Sequence, residues 1–308
     1  MIVVAGEALV DLVIDTHGAV VAKLGGGPYN VARTLGRLDQ QVTFLGAISN
    51  DRFGTQLFDQ LAADGVRADA IVRTELPTTL AAAELDGQGS AIYRFYLQGT
   101  SAPSLAEVPA ALAAPDAVQV GTLGLALQPM ASTLIRYVRS LPSTTLVMVD
   151  PNCRTGVISH RDAYVRRVDE ACERADVVKV SSDDAEFLAP GVPPLDYARS
   201  LVAQGVAVVL VTLGPAGTWV VMASSEELVP TTPITVADTI GAGDSFCGGF
   251  LAWWVHNGFG RADLADLAVV AEATSAAQEV AAITCQRVGA QPPRRAELSE
   301  RWQRFDAR

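Results

Sequence analysis

Asp238-Thr239-Ile240-Gly241-Ala242-Gly243-Asp244-Ser245-Phe246-Cys247-Gly248-Gly249-Phe250 is the stretch on which the reading turns. Two glycines flank an alanine, an aspartate follows at once, and an apolar run with helical character comes next. A Gly-rich turn entering a helix leaves backbone N–H groups unpaired at the positive end of the helix dipole. Such a place suits an anion, phosphate above all. A carboxylate at its mouth repels that ligand, so Asp244 needs another task. Taking a proton from a hydroxyl that attacks phosphorus is one, and the segment points to phosphoryl transfer.

The rest of the chain sets bounds. Its 308 residues are 49% hydrophobic and 19% charged, enough for a large core in one α/β domain or two smaller ones. A formal net charge of −11 argues against nucleic acid as the main partner. No apolar run approaches ~18 residues, so no membrane span is expected. The chain opens on strand-like Ile2-Val3-Val4-Ala5 without an export pattern. Cys153, Cys172, Cys247 and Cys285 lie far apart, as reduced thiols of a cytoplasmic protein would. His17, His160 and His256 are isolated, which speaks against a histidine metal site. Lysine occurs only at Lys23 and Lys179.

Short apolar runs alternate with helical stretches. Residues 2–5, 42–47, 117–120, 146–150, 177–180 and 207–212 read as strands, mostly as continuous apolar runs of the kind covered on both faces. Residues 52–64 read as a helix capped by Asn50 or Asp51 and closed by Gly65. The alternation predicts a mainly parallel sheet with helices on both sides. Two places break it. Residues 78–97 read as a hairpin around Asp86-Gly87-Gln88-Gly89, and residues 9–24 as extended segments with a turn near Thr16-His17-Gly18. Together they predict a small β-flap, giving one domain with a projection.

Several strand ends carry polar residues. Gly25-Gly26-Gly27-Pro28-Tyr29-Asn30 precedes a helix predicted to begin near Val31; its glycines permit close backbone approach, and Asn30 suits a sugar hydroxyl. A plain strand-to-helix turn explains the glycines equally well. Asp11 is either an exposed charge on a flap strand or an acceptor for two neighbouring hydroxyls. Arg154, in Asp150-Pro151-Asn152-Cys153-Arg154, could clamp a phosphate or an acidic group, or be a surface arginine after a turn. Lys179 could reach a phosphate and Asp184 a metal or its water shell, while an ordinary helix cap accounts for Ser181 and Ser182. Thr212-Leu213-Gly214-Pro215-Ala216-Gly217 suits a nucleotide, or is a β-turn between strands. All fall on one predicted edge of a parallel sheet, where such sheets bind ligands.

Gly25-Gly26-Gly27-Pro28-Tyr29-Asn30-Val31-Ala32 and Asp238-Thr239-Ile240-Gly241-Ala242-Gly243-Asp244 together resemble the two signatures of the ribokinase-like (PfkB) carbohydrate kinases, and the resemblance covers nearly the whole chain. It implies a three-layer α/β/α sandwich over residues 1–308, with a β-lid formed by about 9–24 and 76–99. It implies ATP and Mg²⁺, with transfer of the γ-phosphate to a sugar. By this likeness Asp244 is the base, and Gly241, Ala242 and Gly243 form the anion hole. Asp11, Gly26, Gly27 and Asn30 bind the sugar, with Arg154 beside them. Lys179, Ser181, Asp184, Thr212, Gly214 and Gly217 lie along the nucleotide. Asp238, Ile240, Thr284 and Gly289 match a monovalent-cation site, K⁺ being the expected ion. A homodimer formed through the lid is a further expectation.

Departures from the family pattern narrow the sugar. Ser181 and Asp184 stand where Asn-x-x-Glu is frequent, as in the fructokinase branch. Leu9 replaces the asparagine of ribokinases, which argues against ribose. Leu97, in Phe95-Tyr96-Leu97, replaces the arginine with which 2-keto-3-deoxygluconate kinases hold a carboxylate. A neutral sugar, fructose first, is the expectation. Alternatives are a 2-keto-3-deoxygluconate or nucleoside kinase and a catalytically silent sugar-binding homologue. A Rossmann dehydrogenase lacks its Gly-x-Gly-x-x-Gly after the first strand.

Overall fold

Each of the six runs read as strands becomes a strand of one large sheet in the computed structural model, which describes residues 1–85, 91–110 and 112–303. The strands are β1 (Ile2–Ala5), β2 (Leu9–Ile14), β3 (Val20–Gly25), β4 (Val42–Ser49), β5 (Ile71–Thr74), β6 (Leu80–Leu85), β7 (Ala91–Tyr96), β8 (Ala117–Gly121), β9 (Leu146–Asp150), β10 (Val177–Ser181), β11 (Val208–Thr212), β12 (Thr218–Met222) and β13 (Glu226–Val229). The large sheet runs β13-β12-β11-β10-β9-β8-β1-β4-β5. It is parallel from β11 to β5, and β12 and β13 add an antiparallel edge.

Helices cover both faces. They are α1 (Gly27–Arg37), α2 (Arg52–Ala63), α3 (Leu123–Ala126), α4 (Met130–Ser140), α5 (Arg161–Cys172), α6 (Ser182–Leu188), α7 (Pro194–Ala203), α8 (Ala242–His256) and α9 (Leu267–Cys285). Side chains alternate across a strand, and two cores result. Ile2, Val4, Met148, Val177 and Leu210 pack with Tyr29, Leu57, Phe250 and Ala277, from α1, α2, α8 and α9. Val3, Ala5, Val147, Val178 and Val209 pack with Leu134, Val168 and Leu201, from α4, α5 and α7. This is the three-layer sandwich that the alternation predicts.

A second, smaller sheet has the order β3-β2-β6-β7. Its outer pairs are antiparallel and its central pair, β2 with β6, is parallel. Val20, Val21 and Tyr96 are exposed on it. The turn expected at residues 86–89 lies outside the described residues. Where the chain enters and leaves β6–β7, Thr79 and Thr100 join their hydroxyls at 2.8 Å, and the Ala102 N–H donates to Thr79 Oγ1. Asp51 caps α2 by accepting from Gly54 N–H, and also accepts from the N–H and hydroxyl of Thr78, tying the α2 start to the smaller sheet.

Two local readings change. Helix α1 begins at Gly27, four residues before Val31, because Pro28 fits its first turn and Gly26, at φ +113°, serves as its cap. A Cβ on Gly26 would come 2.7 Å from the Glu7 carbonyl oxygen, so the position requires glycine. Strands β5, β12 and β13 have no counterpart among the predicted strands; they are short and lie at the sheet's two edges. No described helix is long and apolar enough to cross a membrane.

Candidate active site

The carboxyl ends of β1, β8, β9, β10 and β11 open on one edge of the large sheet, and the starts of α1 and α8 meet there. Four acidic side chains gather at this edge: Glu7, Asp11, Asp150 and Asp244. Three of them, Glu7, Asp150 and Asp244, are at most 5% exposed.

Asp244 lies in the first turn of α8, behind Gly241, whose φ of +78° places it in the left-handed region. A Cβ on Gly241 would fall 2.6 Å from that of Ala290, so glycine is needed for space as well as conformation. The Ala242 N–H turns back to the Thr239 carbonyl at 3.2 Å. Among the described residues, the N–H groups of Gly241, Gly243 and Asp244 make no such backbone bond, so these are the donors open to an anion. Asn30 Nδ2 donates to Asp244 Oδ2 at 2.9 Å, while Asn30 Oδ1 is buried with no partner among the described residues. Burial raises the Asp244 carboxyl to a pKa of about 6; Asn30 and Arg154 oppose the shift and the nearby Asp150 adds to it.

Asp11 on β2 faces the same space. Its Oδ2 lies so close to Gly25 that a Cβ there would collide with it. Burial raises Asp11 to about 6, with Arg154 and Lys23 opposing and Asp244 reinforcing. Arg154 is exposed and forms no ion pair among the described residues, yet its charge is felt at Glu7, Asp11 and Asp244.

Glu7 is the functional-site residue to which the sequence assigned no role. Its carboxylate accepts the Gly27 N–H at 3.0 Å and the Thr122 hydroxyl at 2.5 and 2.6 Å. It thereby ties the Gly26-Gly27 turn to the end of β8. Burial raises it to about 7, against these hydrogen bonds. A Cβ on Gly27 would meet Thr122 Cγ2 at 2.5 Å and Asp244 Oδ1 at 3.4 Å, so Thr122, Gly27 and Asp244 are mutually packed. The charge in Gly6-Glu7-Ala8 gives no hint of this, because the pairing depends on residue 122, far along the chain.

Beneath α8, Lys179 Nζ pairs with both Asp150 oxygens at 3.2 and 3.3 Å, and the Cys247 thiol donates to Asp150 Oδ2. Both partners of the ion pair are nearly inaccessible, with side chains 5% and 2% exposed. Burial works against the Lys179 ammonium, but Asp150 and Asp184 outweigh it and hold it charged. Burial pushes Asp150 up and Lys179 offsets part of that. A Cβ on Gly243 would come 3.1 Å from Lys179 Nζ, so the ammonium lies directly under the glycine turn.

Ser181 and Asp184 form a reciprocal capping box on α6: Asp184 N–H donates to Ser181 Oγ, and Ser181 N–H and hydroxyl donate to Asp184 Oδ2. Asp184 Oδ1 accepts the Cys153 N–H at 2.6 Å. Burial would raise Asp184, but the Lys179 charge and these bonds hold it below the usual carboxylate range. Ser181 and Thr212 are register partners at the ends of β10 and β11. Gly214, at φ +55°, and Gly217, at φ +105°, shape the turn that follows.

On the far side of the α8 start, Asp238 accepts N–H groups from Ile240 at 3.0 Å and Gly289 at 2.7 Å. Thr284 is buried and donates to Ser245 Oγ and the Val280 carbonyl. Asp238 thus pins the glycine turn to the 289 segment, and backbone carbonyls with this carboxylate are ligands of the hard-cation type. No cluster of three His, Cys, Asp or Glu suited to a metal exists among the described residues.

The sequence-predicted groups fall into three neighbouring sets around the α8 start. Asp11, Gly26, Gly27, Asn30 and Arg154 lie with Asp244. Ser181, Thr212, Gly214 and Gly217 follow one another along adjacent strand ends. Asp238, Ile240, Thr284 and Gly289 lie at the turn leading into α8.

Residues 1–297 match the family described as pfkB family carbohydrate kinase. A fructokinase of Vibrio alginolyticus is 30% identical over 252 residues, 81% of this chain and 82% of that protein. The crystal structure of fructokinase with bound ATP from Xylella fastidiosa superposes with a TM-score of 0.84 at 26% identity, covering 94% of this chain and 93% of that one. A double mutant of fructokinase from Vibrio cholerae O395, in fructose, ADP and potassium ion bound form, superposes with a TM-score of 0.82 at 26% identity, covering 94% of this chain and 93% of that one.

Proposed function

The chain belongs to the pfkB family of carbohydrate kinases and is an ATP-dependent sugar kinase; from that premise we propose that it phosphorylates fructose and that Asp244 is its base. One observation carries the sugar side. Asn30 spends its amide N–H on Asp244 and leaves Oδ1 buried and unpaired. A buried acceptor without a donor costs about 1–3 kcal/mol, which a sugar hydroxyl would recover. In this reading Asp11, whose carboxylate faces the same space, accepts from neighbouring hydroxyls of that sugar. Leu97, half-buried against the core, offers no charge for an acidic sugar.

In this reading Asp244 takes the proton of the attacking hydroxyl, and the N–H groups of Gly241, Gly243 and Asp244 hold the phosphoryl oxygens. Ala242 lends its place in the turn rather than its N–H. Lys179 keeps positive charge beneath the turn, and Asp150 keeps Lys179 there. Ser181, Thr212, Gly214 and Gly217 border the nucleotide, and Asp184 orders that border as a cap. Arg154 balances the carboxylates facing the sugar. Mg²⁺ arriving with ATP supplies neutralising charge on the phosphates. Asp238, Ile240, Thr284 and Gly289 would hold a K⁺, whose charge would steady the glycine turn that Asp238 already ties to the 289 segment. The smaller sheet acts as the lid that excludes water.

The deciding experiment is ATP turnover against fructose, ribose, 2-keto-3-deoxygluconate and nucleosides, with and without K⁺. Fructose is expected to give the highest kcat/KM. Preference for a nucleoside or for the keto-acid would replace the fructose assignment.

The raised Asp244 pKa sets the acid limb of the rate. A base works only when ionised, and burial lets Asp244 bind its proton at a higher pH than a free aspartate. Turnover is therefore expected to fall about tenfold per pH unit below pH ~6. A pH–rate profile flat from pH 7 to 4.5 would remove Asp244 from that role.

A further inference from the structure

A groove of about 710 Å³ runs between α4 and α5, on the sheet face opposite α8. Arg136 and Arg139 line it from α4, Arg166 and Arg167 from α5, and Glu170 is the one carboxylate among its lining residues. The chain's formal net charge is −11, so this is a local reversal of sign. Arg136 and Arg139 are three apart on α4; on α5 Glu170 stands four residues after Arg166 and three after Arg167, and all three line the groove. Two helices therefore turn guanidinium groups into one space, where they repel unless an anion lies between them.

Nearby acids offset only part of this charge: Glu170 acts on Arg167 from the next turn of α5, one carboxylate against four arginines. Arg167 Nε and Nη2 donate to the Leu125 and Ala126 carbonyls at 2.8 and 3.2 Å. Arg136 Nη2 donates to the Thr133 hydroxyl at 3.2 Å. These contacts fix the two guanidinium groups without supplying a counter-charge. Arg139 meets Glu173 at 3.7 Å, with both side chains more than half exposed, a pair of little strength. Arg166 makes no ion pair among the described residues. Burial, with the adjacent Arg166 adding to it, pushes Arg167 below its ordinary value.

We propose that this groove binds a small polyphosphate, one phosphate held by the α4 arginines and another by the α5 arginines. Planar guanidinium forks match phosphate oxygens bidentately. The volume is that of a small-molecule site. A single phosphate would answer only one of the two arginine pairs. An extended nucleic acid would carry its charge beyond the groove over an acidic molecule.

The test is calorimetric titration of the full chain with inorganic pyrophosphate at low salt, the ATP site being filled by a non-hydrolysable analogue. Saturable binding of one equivalent is expected. Arg136→Ala combined with Arg166→Ala should weaken it by about tenfold for each arginine removed, the scale of a charged hydrogen bond. Turnover without pyrophosphate should be unchanged, which also reports that the variant folds. A second arm replaces pyrophosphate by further ATP: binding there assigns the polyphosphate to a nucleotide, and its lack assigns it to a free polyphosphate. Absence of saturable pyrophosphate binding overturns the proposal. So does equal affinity in the double variant, or tighter binding of a single-stranded oligonucleotide than of pyrophosphate. The comparison of wild type with variant holds whatever sugar the enzyme uses.

Discussion

Asp244→Asn is expected to lose about 10²-fold or more in turnover while keeping its fold and its affinity for nucleotide. The substitution is isosteric, and the new amide can turn its oxygen to the Asn30 Nδ2 that now bonds Asp244. What vanishes is the ability to take a proton. Stability should not suffer, and the sign can be worked out. The folded-state pKa of Asp244 is raised to about 6, so the native state holds this proton more tightly than the unfolded chain does. Ionisation above that pH therefore costs stability, and an amide escapes the cost. Steady-state kinetics, binding of a non-hydrolysable ATP analogue and a melting curve at pH 8 separate the possibilities. Near-normal turnover would end the assignment of Asp244 as base.

Lys179→Met carries the largest expected stability effect, a loss of about 3–5 kcal/mol, because it strands Asp150 as an uncompensated buried charge. The pair is 3.2 Å apart with both side chains almost fully enclosed, so solvent screening does little to soften the change. Adding Asp150→Asn to Lys179→Met removes the stranded charge and should restore most of the loss, with the Cys247 thiol still able to donate to the new amide oxygen. Activity should not return with stability, since the cation beneath Gly243 is gone in both variants. Denaturant unfolding of the two single variants and the double variant measures this. A Lys179→Met protein within ~1 kcal/mol of wild type would show that the pair contributes little.

Much of the fold could be read directly. The runs at 2–5, 117–120 and 177–180 are continuous and apolar because both faces of their strands are covered, and periodicity at short range carries that signal. Strand β5 at Ile71–Thr74 did not announce itself because an edge strand is only half-buried and its four residues are too few to show a period. The start of α1 misled for a different reason: glycine and proline read as a break, yet here Gly26 caps and Pro28 opens the first turn. At the site, Asp244 and Asn30 were legible because each stands in a motif. Glu7 was not, since its partners Gly27 and Thr122 come from two other elements. Asp184 was legible as a carboxylate after a strand, but the engagement of both its oxygens by Ser181 and Cys153 depends on how the fold brings the 150 loop against α6.

The alternation of side chains across the large sheet has a consequence for how such a protein can diverge. Asp150, Lys179, Ser181 and Thr212 share the strand parity of the core residues that pack toward α1, α8 and α9. The proposed chemistry is thus written on one side of the sheet. Drift in α4, α5 and α7 is restrained by burial and by the proposed polyphosphate groove, not by the reaction, since the proposed catalytic and sugar-binding side chains lie elsewhere. That layer is where lineages sharing a reaction can come to differ in the signals they obey. It is also where an engineer could rewrite the surface and leave the enzyme's turnover as it was.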